Sequence, residues 1–260
     1  MKLVDCFQYF NEEVILKLRM EEGSSYVDKM VISESEITYT NKPKLLYLNE
    51  LDKYELRKCV RCILKPYDYD KYDPWYIENK QRDIMRNKIL SLGLDDDDII
   101  IMSDLDEVPN YEVILDKFNP DWGIASVLMS YHYYYLNMVS PTAISDKPKV
   151  MTYKFLKNHT ESLTDLRTTY KYQHFICNGG WHFSYMGGPE FIKHKIESFA
   201  HTELNNSTTT DINYIKRKMQ SGEDLFNRVF HYRFLKTGLD KLPKTILNSK
   251  DLYKRLGFLI

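Results

Sequence analysis

The stretch IIIMSDLDEVPN (residues 99–110) runs four apolar residues straight into Asp104, Asp106 and Glu107. Carboxylates at the tip of a buried strand need a positive partner, because burying unpaired charge is costly. A divalent cation bridging two phosphates is one such partner. It needs hard oxygen ligands with coordination positions left open, which one or two aspartates supply. Asp-x-Asp by itself is common on surface loops, and its place after a buried strand is what gives it weight. Two enzyme classes put the motif there. In aspartate-nucleophile phosphotransferases the first aspartate, here Asp104, attacks phosphorus, and the motif usually closes the first strand. In nucleotide-sugar glycosyltransferases it closes a nucleotide-binding half and holds Mn²⁺ or Mg²⁺. Pro109 stops the strand and fixes the acidic turn. The neighbouring run Asp95–Asp98 reads as a separate, solvated turn.

Two further constellations could carry chemistry. In NGGWHFSYMGG (178–188), paired glycines allow close backbone approach to a ligand. There Trp181 offers a face for a sugar ring, and His182 a neutral imidazole for a metal or phosphate. The plainer reading is a tight hairpin with a core tryptophan. In SGEDLFNRVFHYR (221–233), Glu223 and Asp224 would open a helix after Gly222, where the dipole favours an ionised carboxylate. Such a group beside an acceptor hydroxyl could serve as general base. An ordinary acidic first turn explains the same residues. In SFAHTE (198–203), His201 and Glu203 compete for that role.

The elements that must position these residues alternate. Strands are expected at Leu3–Phe10, Lys29–Ser35, Lys58–Tyr69 and Asp98–Asp104, with helices at Glu12–Glu22 and from Asp73, as N-cap, to a stop at Gly93. This grammar gives a parallel, three-layer α/β sheet, whose ligands bind beyond the carboxyl ends of the strands. Glu34 and the acidic turn both fall there. The second half is less regular: aromatic-rich strands over 121–139, 147–156 and 172–188, helices over 188–201 and 209–222, and a terminal helix or arm over 250–260. No repeat or linker interrupts the chain, so one domain over 1–260 is expected. Its parts are a nucleotide-binding half (1–110), an acceptor and catalytic half (111–240) and a tail (241–260).

Bulk properties set limits. The 260 residues are 43% apolar and 28% charged, with formal net charge −1. That balance leaves no global basic footprint for nucleic acid. The 21 Tyr, 12 Phe and 3 Trp suit either ring-stacking platforms or a heavy core. Four cysteines make no disulfide framework, and Cys59–Cys62 lacks a second pair for zinc, so both read as semi-buried thiols. The opening MKLVDCFQYFNEE has no apolar signal core, and no run of about 18 apolar residues exists. A cytoplasmic, reducing location is expected, and the sequons at Asn158 and Asn206 read as chance matches. The Lys-, Asn-, Ile- and Tyr-rich composition suits an AT-rich viral or bacterial genome.

Taken in order, DCFQYFNEE, VDKMVISES, WYIENKQRD, IIIMSDLDEVP, GGWHFSYMGGPEFIKHKIESFAH and SGEDLFNR resemble glycosyltransferase family 17 over roughly residues 3–235. An animal member of that family adds a bisecting β-1,4-linked N-acetylglucosamine to N-glycans. The resemblance is closer to short soluble bacterial and viral members, without anchor or stem. It implies a GT-A type fold, a Rossmann-like nucleotide-binding half with a mostly parallel sheet and an irregular acceptor-binding half. It also implies a UDP-sugar donor (N-acetylglucosamine first), a divalent cation (Mn²⁺ or Mg²⁺), inversion, and a glycan or glycoprotein acceptor. Carried onto this chain, Asp104 and Asp106 become the metal and donor pair, and His182 a further ligand or diphosphate contact. Trp181 stays a ring platform, and Glu34 and Arg82 are candidates to hold the nucleotide. Asp224 stands first as general base, ahead of Glu203. A catalytically inactive sugar-nucleotide-binding protein is the non-enzymatic alternative.

Overall fold

The computed structural model describes residues 1–51, 56–66, 73–168, 173–235 and 241–260. The first half builds a parallel sheet from β1 (Leu3–Gln8), β2 (Lys29–Ser35), β3 (Cys59–Leu64) and β4 (Ile99–Met102), in the order β4-β1-β2-β3. The expected third strand ends at Leu64, and the part of it over 67–69 lies outside the described residues. Residues along these strands alternate between two apolar layers. Leu3, Phe7, Ile32, Ile99 and Ile101 face one, and Val4, Cys6, Val31, Ile100 and Met102 the other. That is why Ile99–Met102 is apolar without a break: a central parallel strand is covered on both sides. Cys59 and Cys62 fall in opposite layers, as strand spacing of three dictates. They therefore share no site.

Helix α1 (Glu13–Glu22) covers the first face through Ile15, Leu16 and Leu18. Helix α2 (Pro74–Leu90) covers the second through Met85 and Ile89. Asp73 caps α2 as expected, accepting from Tyr76 N at 2.9 Å, with Pro74 at the first position. The helix ends earlier than Gly93: Ser91 is its C-cap, and Gly93 (φ +66) turns the chain two residues on. The aspartate run is also more than a solvated turn. Asp98 is 1% exposed and accepts from Lys2 N at 2.6 Å and Asp95 N at 2.9 Å, tying the turn to the start of β1.

The remaining strands are β5 (Glu107–Pro109), β6 (Ile124–Tyr133), β7 (Met138–Ser145), β8 (Lys149–Thr152), β9 (Phe175–Ser184) and β10 (Arg233–Phe234). They extend the same sheet in mixed sense. β8 is antiparallel to both β4 and β6, β7 is antiparallel to β6, and β9 runs parallel to β6 while holding β5 antiparallel. The mostly parallel character therefore holds for β4-β1-β2-β3 and gives way beyond β4. Short helices α3 (Tyr111–Lys117), α4 (Tyr153–Asn158) and α5 (Leu163–Thr168) flank the seam. Helices α6 (Pro189–Ser198) and α7 (Ile212–Ser221) pack on a separate aromatic cluster that includes Tyr133, Tyr134 and Tyr232. α8 (Lys244–Asn248) and α9 (Lys250–Arg255) close the chain, with Tyr253, Phe258 and Leu259 in the main core. No helix begins at Gly222. It is the left-handed C-cap of α7, and Glu223 pairs across a bridge with His231.

Candidate active site

A cleft of about 340 Å³ opens beyond the carboxyl ends of β1 and β4. Its wall includes Gln8, Tyr9 and Phe10 after β1, Tyr39 and Lys44 after β2, and Trp75, Glu78 and Gln81 on α2. Asp104–Asp106, Tyr131, His182, Lys195, His201 and Arg228 complete it. Strand order turns at β1, with β4 on one side and β2 on the other, which is where open α/β sheets bind ligands.

The acidic turn is held from behind by one residue. Arg19, on the buried side of α1, is fully enclosed and forks onto Asp5 at 2.6 and 2.8 Å. Its Nη1 donates to the carbonyls of Asp104 (2.6 Å), Leu105 (3.2 Å) and Glu107 (3.1 Å), and its Nη2 to Ser103 Oγ (2.7 Å). Tyr111 also donates to Asp5. The turn closes on itself through Glu107 N to Asp104 O, and Phe183 N of β9 reaches Asp106 O at 2.7 Å. A rigid planar fork satisfying three carbonyls suits arginine and not lysine.

The carboxylates of the turn meet cations. Asp104 accepts from Arg167 at 2.7 Å and Arg82 at 3.3 Å. Burial pushes its carboxyl up, but those two guanidiniums outweigh burial and hold it well below the usual carboxylate range. Glu107 is enclosed by Arg167 Nη1 (2.8 Å), Ser145 Oγ (2.8 Å) and Asp104 N (2.8 Å). Asp106 accepts from Lys195 at 3.0 Å, and its other oxygen lies 3.6 Å from His182 Nε2. Burial raises its carboxyl too, and Lys195 and His182 bring it below the ordinary value. Both aspartates are therefore ionised at neutral pH.

Among the described residues no cluster of three His, Cys, Asp or Glu side chains could hold an ion alone. Asp106 Oδ1 and His182 Nε2 face each other beyond hydrogen-bonding distance, and the buried His182 Nδ1 makes no hydrogen bond, with Glu107 Oε1 3.9 Å away. Asp104, Asp106 and His182 are donors of the kind a divalent cation takes, but as placed they do not make a closed ligand set by themselves.

The other expected site residues scatter. Glu34 is wholly buried and accepts from Tyr47 N, Leu48 N and Lys44 Nζ, so it anchors the 44–50 segment rather than facing the cleft. Burial lifts its carboxyl above the ordinary value. Arg82 is buried and reaches Asp104 and Glu78 from behind the cleft. Trp181 lies on the opposite side of β9 from His182, packs on the main core and donates to Lys241 O at 2.7 Å. The exposed tryptophan on the cleft wall is Trp75, edge-on to His201 at 4.5 Å. Asp224 is enclosed by Arg228, by Phe226 N at 2.9 Å and by Arg228 N at 3.1 Å. Burial raises its carboxyl, Arg228 lowers it, and the net effect is downward. Arg228, not Asp224, lines the cleft. Glu203 is exposed and bonds His201 Nδ1 at 2.7 Å, with His201 on the cleft side.

Several residues of the site were not singled out in the sequence. Arg167 sits in a short helix with nothing in sequence to single it out. Arg19 and Lys195 did leave a signal: each is a cation on the apolar stripe of its helix, beside Ile15 and Ile192. Arg228 follows Asp224 by four residues and pairs with it.

A sequence profile of glycosyltransferase family 17 matches residues 1–250. The chain belongs to glycosyltransferase family 17. No curated protein matches it. Family membership gives glycosyl transfer as the class of activity and sugar donor and acceptor as the partners. Among the described residues, no helix is long and apolar enough to cross a membrane.

Proposed function

We propose that this family 17 protein transfers a sugar, N-acetylglucosamine first, from a UDP-sugar to a glycan hydroxyl with inversion, on a GT-A type fold and with a bound Mn²⁺ or Mg²⁺. The observation that carries the reading is the pair Asp104 and Asp106, ionised and facing the cleft from the tip of β4 beside the strand-order reversal. Asp104, Asp106 and His182 would hold the cation, which when bound offsets charge on the departing diphosphate. Lys195, 3.0 Å from Asp106, adds a fixed positive charge on the same wall. Arg82 and Arg167 keep Asp104 ionised and stationary, so orientation is set before the donor arrives. For the acceptor proton, Asp224 stands first and Glu203 second. Arg228 must move aside for Asp224 to meet a hydroxyl, whereas Glu203 reaches the cleft through His201. Attack on phosphorus by Asp104 has less support, because the motif follows β4, the fourth strand in chain order, rather than the first.

The test is a panel of nucleotide sugars, with and without Mn²⁺, followed for nucleotide release. One donor should turn over, and Asp106→Asn should cut kcat/KM by about a hundredfold or more. If no donor is cleaved and none shifts the melting temperature, the transferase reading falls. Binding of UDP without turnover would instead leave a binding protein. For the base, Asp224→Asn should lower kcat by about 10²–10⁴-fold with donor affinity kept. A larger loss in Glu203→Gln would move the role there.

A further inference from the structure

The wall of the cleft at the end of β1 carries a glutamine amide held in one orientation. Gln8, the last residue of β1, donates from Nε2 to the Glu78 carbonyl at 2.8 Å and to the Tyr39 hydroxyl at 3.2 Å. A carbonyl can only accept, so the amide has one orientation, with NH₂ toward Glu78 and Oε1 turned away. Among the described residues nothing donates to that oxygen, and the side chain lines the cleft. Gln81 repeats the arrangement one helical turn along α2 from Glu78. Its Nε2 is tied to Ser33 O at 3.1 Å, and it lines the same cleft. Tyr9, Phe10 and Tyr39 surround this end with aromatic surface, which suits a stacked base and keeps water from rescuing a mismatched edge.

On the reading that the cleft takes a nucleoside diphosphate sugar, we infer that Gln8, supported by Gln81, selects a base with a ring imino N–H. Uracil and guanine present that donor. Adenine and cytosine present a ring-nitrogen lone pair at the matching place and carry their N–H donor on the exocyclic amine beside it, so in the register that uracil or guanine adopts the amide oxygen would face a lone pair. A site built to accept a hydrogen bond rejects the analogue that lacks it.

Titration calorimetry with UDP, GDP, CDP and ADP, each with Mn²⁺, tests this on the intact chain. UDP or GDP should bind at least about tenfold more tightly than CDP and ADP, and the tighter of the two identifies the base. Gln8→Met, similar in length but without the acceptor, should weaken that nucleotide about tenfold and leave ADP unchanged. Equal affinity for all four, or an equal loss for all four in Gln8→Met, overturns the inference while leaving a nucleotide site intact. The wild-type panel decides the matter even if Gln8→Met does not fold. No binding by any of the four would remove the nucleotide-sugar reading, and this inference with it.

Discussion

Arg167 joins Asp104 and Glu107, and it is itself only 8% exposed. Removing it as Arg167→Met leaves the enclosed Glu107 without its guanidinium and Asp104 with Arg82 alone, so a loss of about 3–5 kcal/mol in urea unfolding is expected. A loss under about 1 kcal/mol would mean that solvent already reaches the pair. Lys149 makes a second prediction. Burial, with Arg167 nearby, pulls its ammonium down to about 7. An unfolded lysine titrates near 10.4, so between those values the unfolded chain binds the extra proton and stability rises with pH. Below about 7 both states are protonated and the full cost of burying the charge is present. Wild-type stability should therefore climb from about pH 7 to about pH 10, and Lys149→Met should flatten that limb. Asp104 and Asp106 were legible because a carboxylate pair at a strand tip is improbable without a role. Arg167 and Glu107's enclosure were not, because an ion pair across 60 residues leaves no trace in local spacing.

At the scale of elements, α1 was readable from apolar spacing, α2 from its Asp73 cap and apolar spacing, and β1, β2 and β4 from their buried runs. The helix expected after Gly222 was not formed. Its left-handed φ of +69 ends α7, and the carbonyl of Tyr232 lies where a Cβ would stand, at 2.2 Å. The alternation of β9 explains Trp181: a residue next to His182 on a strand must face the other way. The close approach of β5 and β9 gives a third prediction. A Cβ on Gly180 would lie 2.3 Å from Val108 O and 3.1 Å from Pro109 Cα. Gly180→Ala should push β5 off β9, disturbing the Asp104–Glu107 turn, with a drop in melting temperature and a parallel loss of donor affinity. Unchanged donor affinity in the folded variant would show that the turn does not depend on β5. Arg19→Lys, which cannot fork, should unfold at lower urea by an amount comparable to Arg167→Met.

For the whole molecule, the first half was legible because each strand and helix there carries its own local pattern, even though β1 pairs with β4 across about 96 residues, while the second half mixes near and distant pairings that no local pattern marks. β6 joins β9 across about fifty residues, and the tail returns to the core, with Leu136 N bonded to Phe258 O at 2.8 Å. Truncation after Ser249 should remove the buried Tyr253, Phe258 and Leu259 and cost several kcal/mol, at about 1.5–3 kcal/mol for each buried side chain. β8, four residues long, has a mechanical consequence. It is hydrogen-bonded to β4 on one edge and β6 on the other, so the two halves are laced by a ladder and cannot swing about a hinge. Substrate entry must then be governed by the segments on the carboxyl rim, such as 37–47 and 199–205. Amide protons of β4 and β8 should exchange only when the whole chain unfolds, and a bound nucleotide should slow exchange at the rim while leaving the relative order of that ladder untouched.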